Sequence, residues 1–315
     1  MRIRDKIKKP QRPVVAYEIL PPREKDGTLN SYAETISSLL SQTHIDAINI
    51  PEVHDEIGRG ERPVSNQDRG EPRKFGMLLQ DIVGIEAIVN RVVVHMPIKE
   101  QMKWIEETYS KYEIDNLIIV GGESSKQEYP GPTVNQSLKK ISKLTIGDGE
   151  NIFCGGICIP SRYKESKNLI KKSDCGAEFF TTQVLCDSVN IIKMIENYQK
   201  RCNQRGTFPR RILLSFAPVS SQKNIDFLKW LGVEIPKDTE KYLNGRPGSM
   251  TERSLDVAIE VLNETLAFIS EKNLKVPIGL NVEHIMSYNF QSSVEMLQEL
   301  AKIYRKFCIK TQQYT

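Results

Sequence analysis

Two acidic residues stand where β-rich stretches of this sequence end. Glu18 is a lone carboxylate inside the apolar run VVAYEIL and is followed by Pro21 and Pro22. Glu283 ends the run PIGLNVE and precedes His284. Burial disfavours the ionised form of a carboxyl group and raises its pKa, which suits a general acid near neutral pH. Glu18 is therefore a candidate proton donor, and a structural carboxylate paired with an arginine is the alternative.

Other polar residues and glycines also close apolar runs. Gly121 and Gly122 precede Glu123 in DNLIIVGGE, a turn whose amides could hold a phosphate or form a plain strand-to-loop turn. His95 ends RVVVHMP, where a lone histidine is more often a core residue than a ligand. Gln183 lies near the end of EFFTTQV, and its amide suits the edge of a heterocycle. No lysine stands at these ends, which argues against a Schiff-base aldolase.

Eight β-rich runs alternate with helical patterns and must position these residues. The runs cover 14–19, 45–51, 91–97, 115–123, 151–160, 178–184, 210–218 and 277–283. Apolar strands separated by helices are typical of a parallel sheet buried on both faces, and eight such units predict a (β/α)8 TIM barrel. The first run lacks the G-x-G-x-x-G turn of a dinucleotide-binding sheet. We expect one α/β barrel domain over 14–315, preceded by a basic arm over 1–13.

The composition excludes several other classes of protein. Of 315 residues, 39% are hydrophobic and 27% charged, which is ordinary globular usage and excludes collagen, coiled coil and wholesale disorder. Residues 1–12 hold six basic residues and one acid, so this arm carries a charge of +5, and the rest of the chain, at −1, is almost neutral, which gives the net charge of +4. The sequence therefore predicts neither nucleic-acid nor membrane binding. Six cysteines in largely apolar surroundings suit free thiols, and a cytoplasmic location is expected.

Several segments together resemble the methylenetetrahydrofolate reductase family, whose members are flavin-dependent (β/α)8 barrels. YEILPPR at 17–23 is similar to the family signature F-E-F-F-P-P-K/R and places Glu18 on the catalytic glutamate. NLIKKSDCGAEFFTTQ at 168–183, APVS at 217–220 and MSY at 286–288 resemble further family motifs. The resemblance extends over most of the chain, from about residue 14 to residue 290.

The resemblance implies that NADH or NADPH reduces FAD, which passes a hydride to the methylene carbon of a folate and yields a 5-methyl folate. Glu18 would protonate the folate so that its five-membered ring opens to an iminium. The substrate contacts it implies are Gln183, Glu123, Gln222 and Glu283. The cofactor contacts it implies are Asn49, Pro51, His95, Gly121, Gly122, Glu123, Asn168, Lys172 and Gln183, with His95, Asn168 and Lys172 toward the ribityl and phosphate portion.

Three positions depart from the family pattern. Pro51 replaces a threonine near the flavin, Gln222 replaces an aromatic residue that stacks on folate or nicotinamide, and Glu283 replaces an arginine used toward the folate. These departures keep open a flavin-free reductase, a related methylene-tetrahydropterin as substrate, and a non-catalytic barrel subunit.

A metal-dependent lyase or hydrolase is a further alternative, although no metal site is predicted from a diagnostic spacing. This alternative is suggested by four residues that a barrel would bring to one face: Glu18, His95, Glu123 and Glu283. Trp104 and Trp230 lie in helical patterns and are expected to pack rather than to bind a ligand. The amphipathic helix at 291–307 could pair in a homo-oligomer.

Overall fold

Eight parallel strands close into a barrel in the computed structural model, which describes residues 1–54, 60–64, 68–122, 127–147 and 149–312. The strands are β1 (Val15–Glu18), β2 (Ala47–Pro51), β3 (Ala87–Val92), β4 (Asn116–Val120), β5 (Phe153–Cys158), β6 (Phe179–Val184), β7 (Arg211–Phe216) and β8 (Ile278–Glu283). Each strand pairs with its neighbours in chain order, and β1 closes the ring between β2 and β8. The predicted single-domain (β/α)8 TIM barrel is confirmed.

Helices enclose the barrel. They are α1 (Ile3–Lys8), α2 (Leu29–Leu40), α3 (Pro72–Val83), α4 (Ile98–Tyr112), α5 (Val134–Ile141), α6 (Glu165–Asp174), α7 (Val189–Arg205), α8 (Gln222–Trp230), α9 (Lys237–Leu243), α10 (Met250–Glu271) and α11 (Phe290–Gln312). Local sequence sets several of their starts, since the side chains of Thr133 and Ser249 form capping boxes with Gln136 and Glu252. Within the described residues, no helix is long and apolar enough to cross a membrane.

Alternating strand residues build a layered barrel interior, because side chains of a strand point alternately to its two faces. Toward the amino-terminal ends of the strands the inner residues are apolar and form one cluster, which includes Ala16, Ala47, Ile88, Ile118 and Leu213. Two residues further along, the inner positions are polar and buried: Asn49, Asn90, Ser215 and Asn281. The next inner position of β1 and of β8 is a glutamate, so the alternation delivers both carboxylates to the same end of the barrel.

The first helix closes the opposite end of the barrel. Ile3 and Ile7 of α1 are buried and belong to the inner apolar cluster. Arg4 forms ion pairs with Asp115, at 2.9 Å, and with Glu150. The basic residues of the arm are therefore partly neutralised by acids at the lower rim, away from Glu18.

The third strand differs from the predicted run at 91–97. It spans Ala87–Val92, and Val93–His95 forms a 3₁₀ turn. Pairing of Ala87 with Ile48 starts the ladder four residues earlier than the β-branched run suggested. His95 consequently lies beyond the strand and is exposed. The short helices α1 and α9 were not predicted from the sequence either.

Candidate active site

A pair of glutamates forms the floor of the site. Glu18 ends β1 and Glu283 ends β8, and their Cα atoms are direct partners in the parallel ladder. Residues in register on adjacent strands point to the same face, so both side chains enter the barrel mouth. Both glutamates line one cavity of about 260 Å³. Among the described residues, no lysine, arginine or histidine forms an ion pair with either carboxylate.

The environment keeps this pair protonated to an unusually high pH. Burial raises the pKa of Glu18 from the ordinary 4.5 to about 7, although hydrogen bonds from Asn281 and Asn90 lower it in part. Burial, and then the charge of Glu18, hold the pKa of Glu283 well above its ordinary range. Two carboxyl groups that share a poorly solvated site do not both ionise at neutral pH. The pair therefore stores at least one proton at the barrel mouth.

Asparagines beneath the pair hold both carboxyl groups in place. Asn49 Nδ2 donates to Glu18 Oε2 at 2.6 Å, and Asn281 Nδ2 donates to Glu283 Oε1 at 3.2 Å. Asn281 also donates to Ser215 Oγ at 3.1 Å. These neutral amides orient the acids without the positive charge that would lower their pKa. Asn49, predicted as a cofactor contact, thus touches Glu18 instead.

His284 supports the floor from outside the cavity. Its Nδ1 lies 3.3 Å from the main-chain oxygen of Glu18, and its ring stacks on Tyr17 with the centroids 6.3 Å apart. Burial lowers the pKa of His284 to about 4, so the ring is neutral at pH 7. His284 therefore helps to position the main chain of Glu18 and adds no charge to the site.

Aromatic and cationic side chains form the upper wall of the cavity. Phe227 and Trp230 of α8 stack with their centroids 5.7 Å apart and an interplanar angle of 14°. The Arg62 guanidinium lies 5.2 Å from the Phe227 centroid and 5.1 Å from that of Trp230. Arg23 and Arg69 also line the cavity. Trp230, expected to pack, stacks on Phe227 and also lines the cavity.

Of the predicted substrate contacts that the structure describes, only Glu283 lines the cavity. Gln183 Nε2 donates to Leu231 O at 2.8 Å, so it holds a residue of the cavity wall. Gln222 lies on the exposed side of α8, where its amide donates to Asp226 at 2.9 Å. Phe227 and Trp230 of the same helix line the cavity, whereas Gln222 is not among its lining residues. Glu123 lies outside the described residues.

Two of the residues predicted to lie toward the flavin phosphate, Lys172 and Asn168, both contact Glu165. Lys172 Nζ donates to Ile157 O and lies 3.3 Å from Glu165 Oε1. Asn168 Nδ2 donates to Glu165 Oε2 at 2.9 Å. Lys172 and Glu165 are buried, so an incoming phosphate would have to displace an internal ion pair. These residues do not form an open anion site in this arrangement.

The remaining predicted cofactor contacts are likewise separate from the cavity, except Pro51, which lines it. His95 packs beside His54, with ring centroids 4.7 Å apart. A side chain built on Gly122 would overlap the ring of Tyr129, although the glycine itself is exposed, and one built on Gly121 would meet Val134. The cofactor contacts at these positions therefore stay predictions.

The metal alternative finds no support among the described residues, where no three His, Cys, Asp or Glu side chains are grouped to hold an ion. His95 lies near His54 and Tyr129 rather than on the floor with Glu18 and Glu283. All six cysteines are free thiols.

A TIM barrel with paired acids at the carboxyl ends of its strands defines an acid–base site of the enzyme type. The chain belongs to the methylenetetrahydrofolate reductase family, because the family model described as "Methylenetetrahydrofolate reductase" matches residues 2–302. No curated protein matches it significantly. Among solved structures, it is similar to an uncharacterized protein from Clostridium thermocellum that binds two copies of 5-methyl-5,6,7,8-tetrahydrofolic acid. That structure is 19% identical, with a TM-score of 0.76, over 96% of this chain and 99% of that one.

Sequence reasoning assigned no role to Arg62, Arg69 or Phe227, and it expected Trp230 only to pack. The two aromatic residues are three apart on α8, so they share a helix face, and this spacing was the available signal. The two arginines come from the long segment between β2 and α3, whose path no periodic pattern reveals.

Proposed function

We propose that this chain reduces a 5,10-methylene-tetrahydropterin of the folate type to its 5-methyl form, with NADH or NADPH as the hydride donor. The half-buried pair Glu18–Glu283 on the cavity floor carries the proposal. Family membership supports the reaction class. The similar Clostridium thermocellum protein, which binds 5-methyl-5,6,7,8-tetrahydrofolic acid, supports the ligand class.

Glu18 supplies the proton that opens the substrate. It protonates the amine nitrogen that shares the methylene carbon with the pterin, the bond between that nitrogen and the carbon breaks, and the electron pair stays on the nitrogen. The remaining iminium accepts a hydride at the methylene carbon, which becomes the methyl group while the nicotinamide is oxidised. A pKa of about 7 makes Glu18 an effective acid at neutral pH.

Glu283 acts as the protonated partner of this acid. Because its pKa is held well above the ordinary range, it keeps its proton when Glu18 gives one up. A neutral carboxylic acid donates a hydrogen bond, and a hydrogen bond to a carboxylate is stronger than one between neutral groups. Glu283 therefore stabilises the carboxylate that Glu18 becomes. This role replaces the folate contact expected from an arginine at this position.

No step is assigned to a flavin, because Lys172 is paired with Glu165 and Asn168 donates to the same carboxylate. Hydride transfer from the nicotinamide to the iminium balances the reaction without another electron carrier. We expect the purified protein to lack flavin absorption, and a stoichiometric flavin spectrum would refute this part of the proposal.

Anaerobic assays with 5,10-methylenetetrahydrofolate and each nicotinamide nucleotide test the proposal. We expect oxidation of one nucleotide with formation of an equal amount of 5-methyl product. Glu18→Gln should lower kcat about 10²- to 10⁴-fold while still binding the product, since general acids contribute about that factor. Glu196→Gln, a change of the same type at an exposed position of α7, is the matched control. Full activity of Glu18→Gln would rule out the assigned acid.

A folate-binding subunit without turnover is the second candidate. Pro51 and Gln222 favour it, because both depart from the residues that family enzymes place toward their ligands. This candidate predicts binding of 5-methyltetrahydrofolate with no nucleotide oxidation under any of the assay conditions. Calorimetric binding and turnover measured on the same preparation separate the two.

A further inference from the structure

The cavity has an acidic floor and a cationic mouth. Glu18 and Glu283 close its lower end at the strand termini, whereas Arg23 and Arg69 line it from loops that follow strands β1 and β2. Their main chains meet in an isolated β-bridge, so the two arginines are neighbours. Within the described residues, neither arginine forms an ion pair with either floor glutamate. A ligand that spans this cavity would contact acidic side chains at one end and arginines at the other.

The two arginines of the mouth differ in their partners. Arg23 is neutralised by Asp26, which accepts two hydrogen bonds of 2.8 and 2.9 Å from its guanidinium. Arg69 donates to the uncharged main-chain oxygen of Pro21 at 2.8 Å and, among the described residues, forms no ion pair. Burial, and then the charge of Arg23, lower the pKa of Arg69. An anion placed beside Arg69 would relieve that repulsion.

We propose that Arg69 binds the carboxylate tail of the folate-type ligand, so that this cavity selects pterins with an anionic tail. The inference rests on the proposed function for the pterin end. The stacked rings of Phe227 and Trp230 line the same cavity and offer an apolar surface for an aromatic linker between the two ends. Arg23, held by Asp26 and Ser287, positions the Arg69 loop through the β-bridge.

This assignment accounts for the glutamate at position 283, where the family pattern has an arginine. An arginine there would place positive charge at the floor of the barrel, whereas this chain has a glutamate there and arginines at the mouth. The anionic end of the ligand is therefore bound further from the proton donor. Among the described residues no cation pairs with Glu18, whose pKa burial raises to about 7.

Calorimetry with the full chain tests the proposal with three ligands: tetrahydrofolate with one glutamate, tail-free 6-methyltetrahydropterin, and NADPH. We expect Arg69→Gln to weaken tetrahydrofolate binding about 10- to 150-fold, the range of a hydrogen bond to a charged group. Binding of 6-methyltetrahydropterin should stay within about twofold of wild type. Arg69→Lys should retain part of the affinity, which also guards against misfolding of the first variant. Arg205→Gln removes a guanidinium paired with Asp174 on the outer surface and is the control.

Each other outcome has a distinct meaning. Equal loss of tetrahydrofolate and 6-methyltetrahydropterin would assign Arg69 a structural role, and no loss would place the tail elsewhere. A loss confined to NADPH would make the bound anion a nucleotide phosphate. Any of these results overturns the tail site while leaving the proposed reaction standing. Wild-type protein that binds neither pterin refutes the proposed function itself, and the tail site with it.

Discussion

Replacing Glu18 with glutamine should make the protein more stable above neutral pH. The carboxyl group lies where burial raises its pKa to about 7, so folding is penalised whenever the unfolded chain would ionise it. Glutamine keeps the side-chain length and an oxygen that can accept the hydrogen bond from Asn49, yet it carries no ionisable proton. The substitution therefore removes the penalty while keeping most of the contacts.

The size of the effect follows from the two pKa values. Below about pH 4.5 the carboxyl group is protonated in both states, and the two proteins should be equally stable. Between pH 4.5 and pH 7 the unfolded chain releases the proton while the folded chain keeps it, so wild type loses stability as pH rises. A difference between 4.5 and about 7 corresponds to about 3 kcal/mol, at about 1.4 kcal/mol for each pH unit. Above pH 7 the difference stays constant.

Urea denaturation of both proteins at pH 5 and pH 8.5 measures this directly. We expect the free energies of unfolding to differ by under about 1 kcal/mol at pH 5 and by about 3 kcal/mol, in favour of Glu18→Gln, at pH 8.5. Glu196→Gln, at an exposed position, should follow wild type at both values. Parallel pH dependence of wild type and Glu18→Gln would show that Glu18 has an ordinary pKa and would remove it as the proton donor.

Three further predictions concern the floor and the closed end of the barrel. Glu283→Arg should lower the pKa of Glu18, so the fall of kcat/KM at high pH should begin about 1–3 pH units lower in the pH–rate profile. An unchanged profile would contradict the proximity of the two residues. Arg211→Met should lower the free energy of unfolding, measured by urea denaturation, by about 3 kcal/mol, because Arg211 donates to Ile7 O and Lys9 O across the lower end of the barrel. Ile7→Ala should cost about 2–4 kcal/mol in the same assay, since Ile7 is buried in the inner cluster, and a cost near zero would show that α1 is not required there.

The fold could be predicted from the sequence because its signal is periodic. Strands alternating with helices are specified locally, and closure of eight such units follows from their number. Glu18 could be found because it is a charge inside an apolar strand. His95 was misplaced, since a β-branched run does not reveal where the ladder with β2 begins. Arg69 and Trp230 were missed, because a long loop and the rotation of α8 place them.

The two charged zones of the barrel have opposite energetic roles. At the closed end, Arg4 and Asp115 are paired across the lower rim, so charge there is compensated within the chain. At the open end, Glu18 and Glu283 have no cationic partner among the described residues, and the pair destabilises the fold at neutral pH. A barrel that is stabilised at its closed end can tolerate this loss of folding free energy at its open end. Functional sites commonly lower the stability of a protein in this way. A cation placed next to Glu18 would restore stability. Because it would also lower the pKa of Glu18, it would remove the proton that the proposed reaction requires.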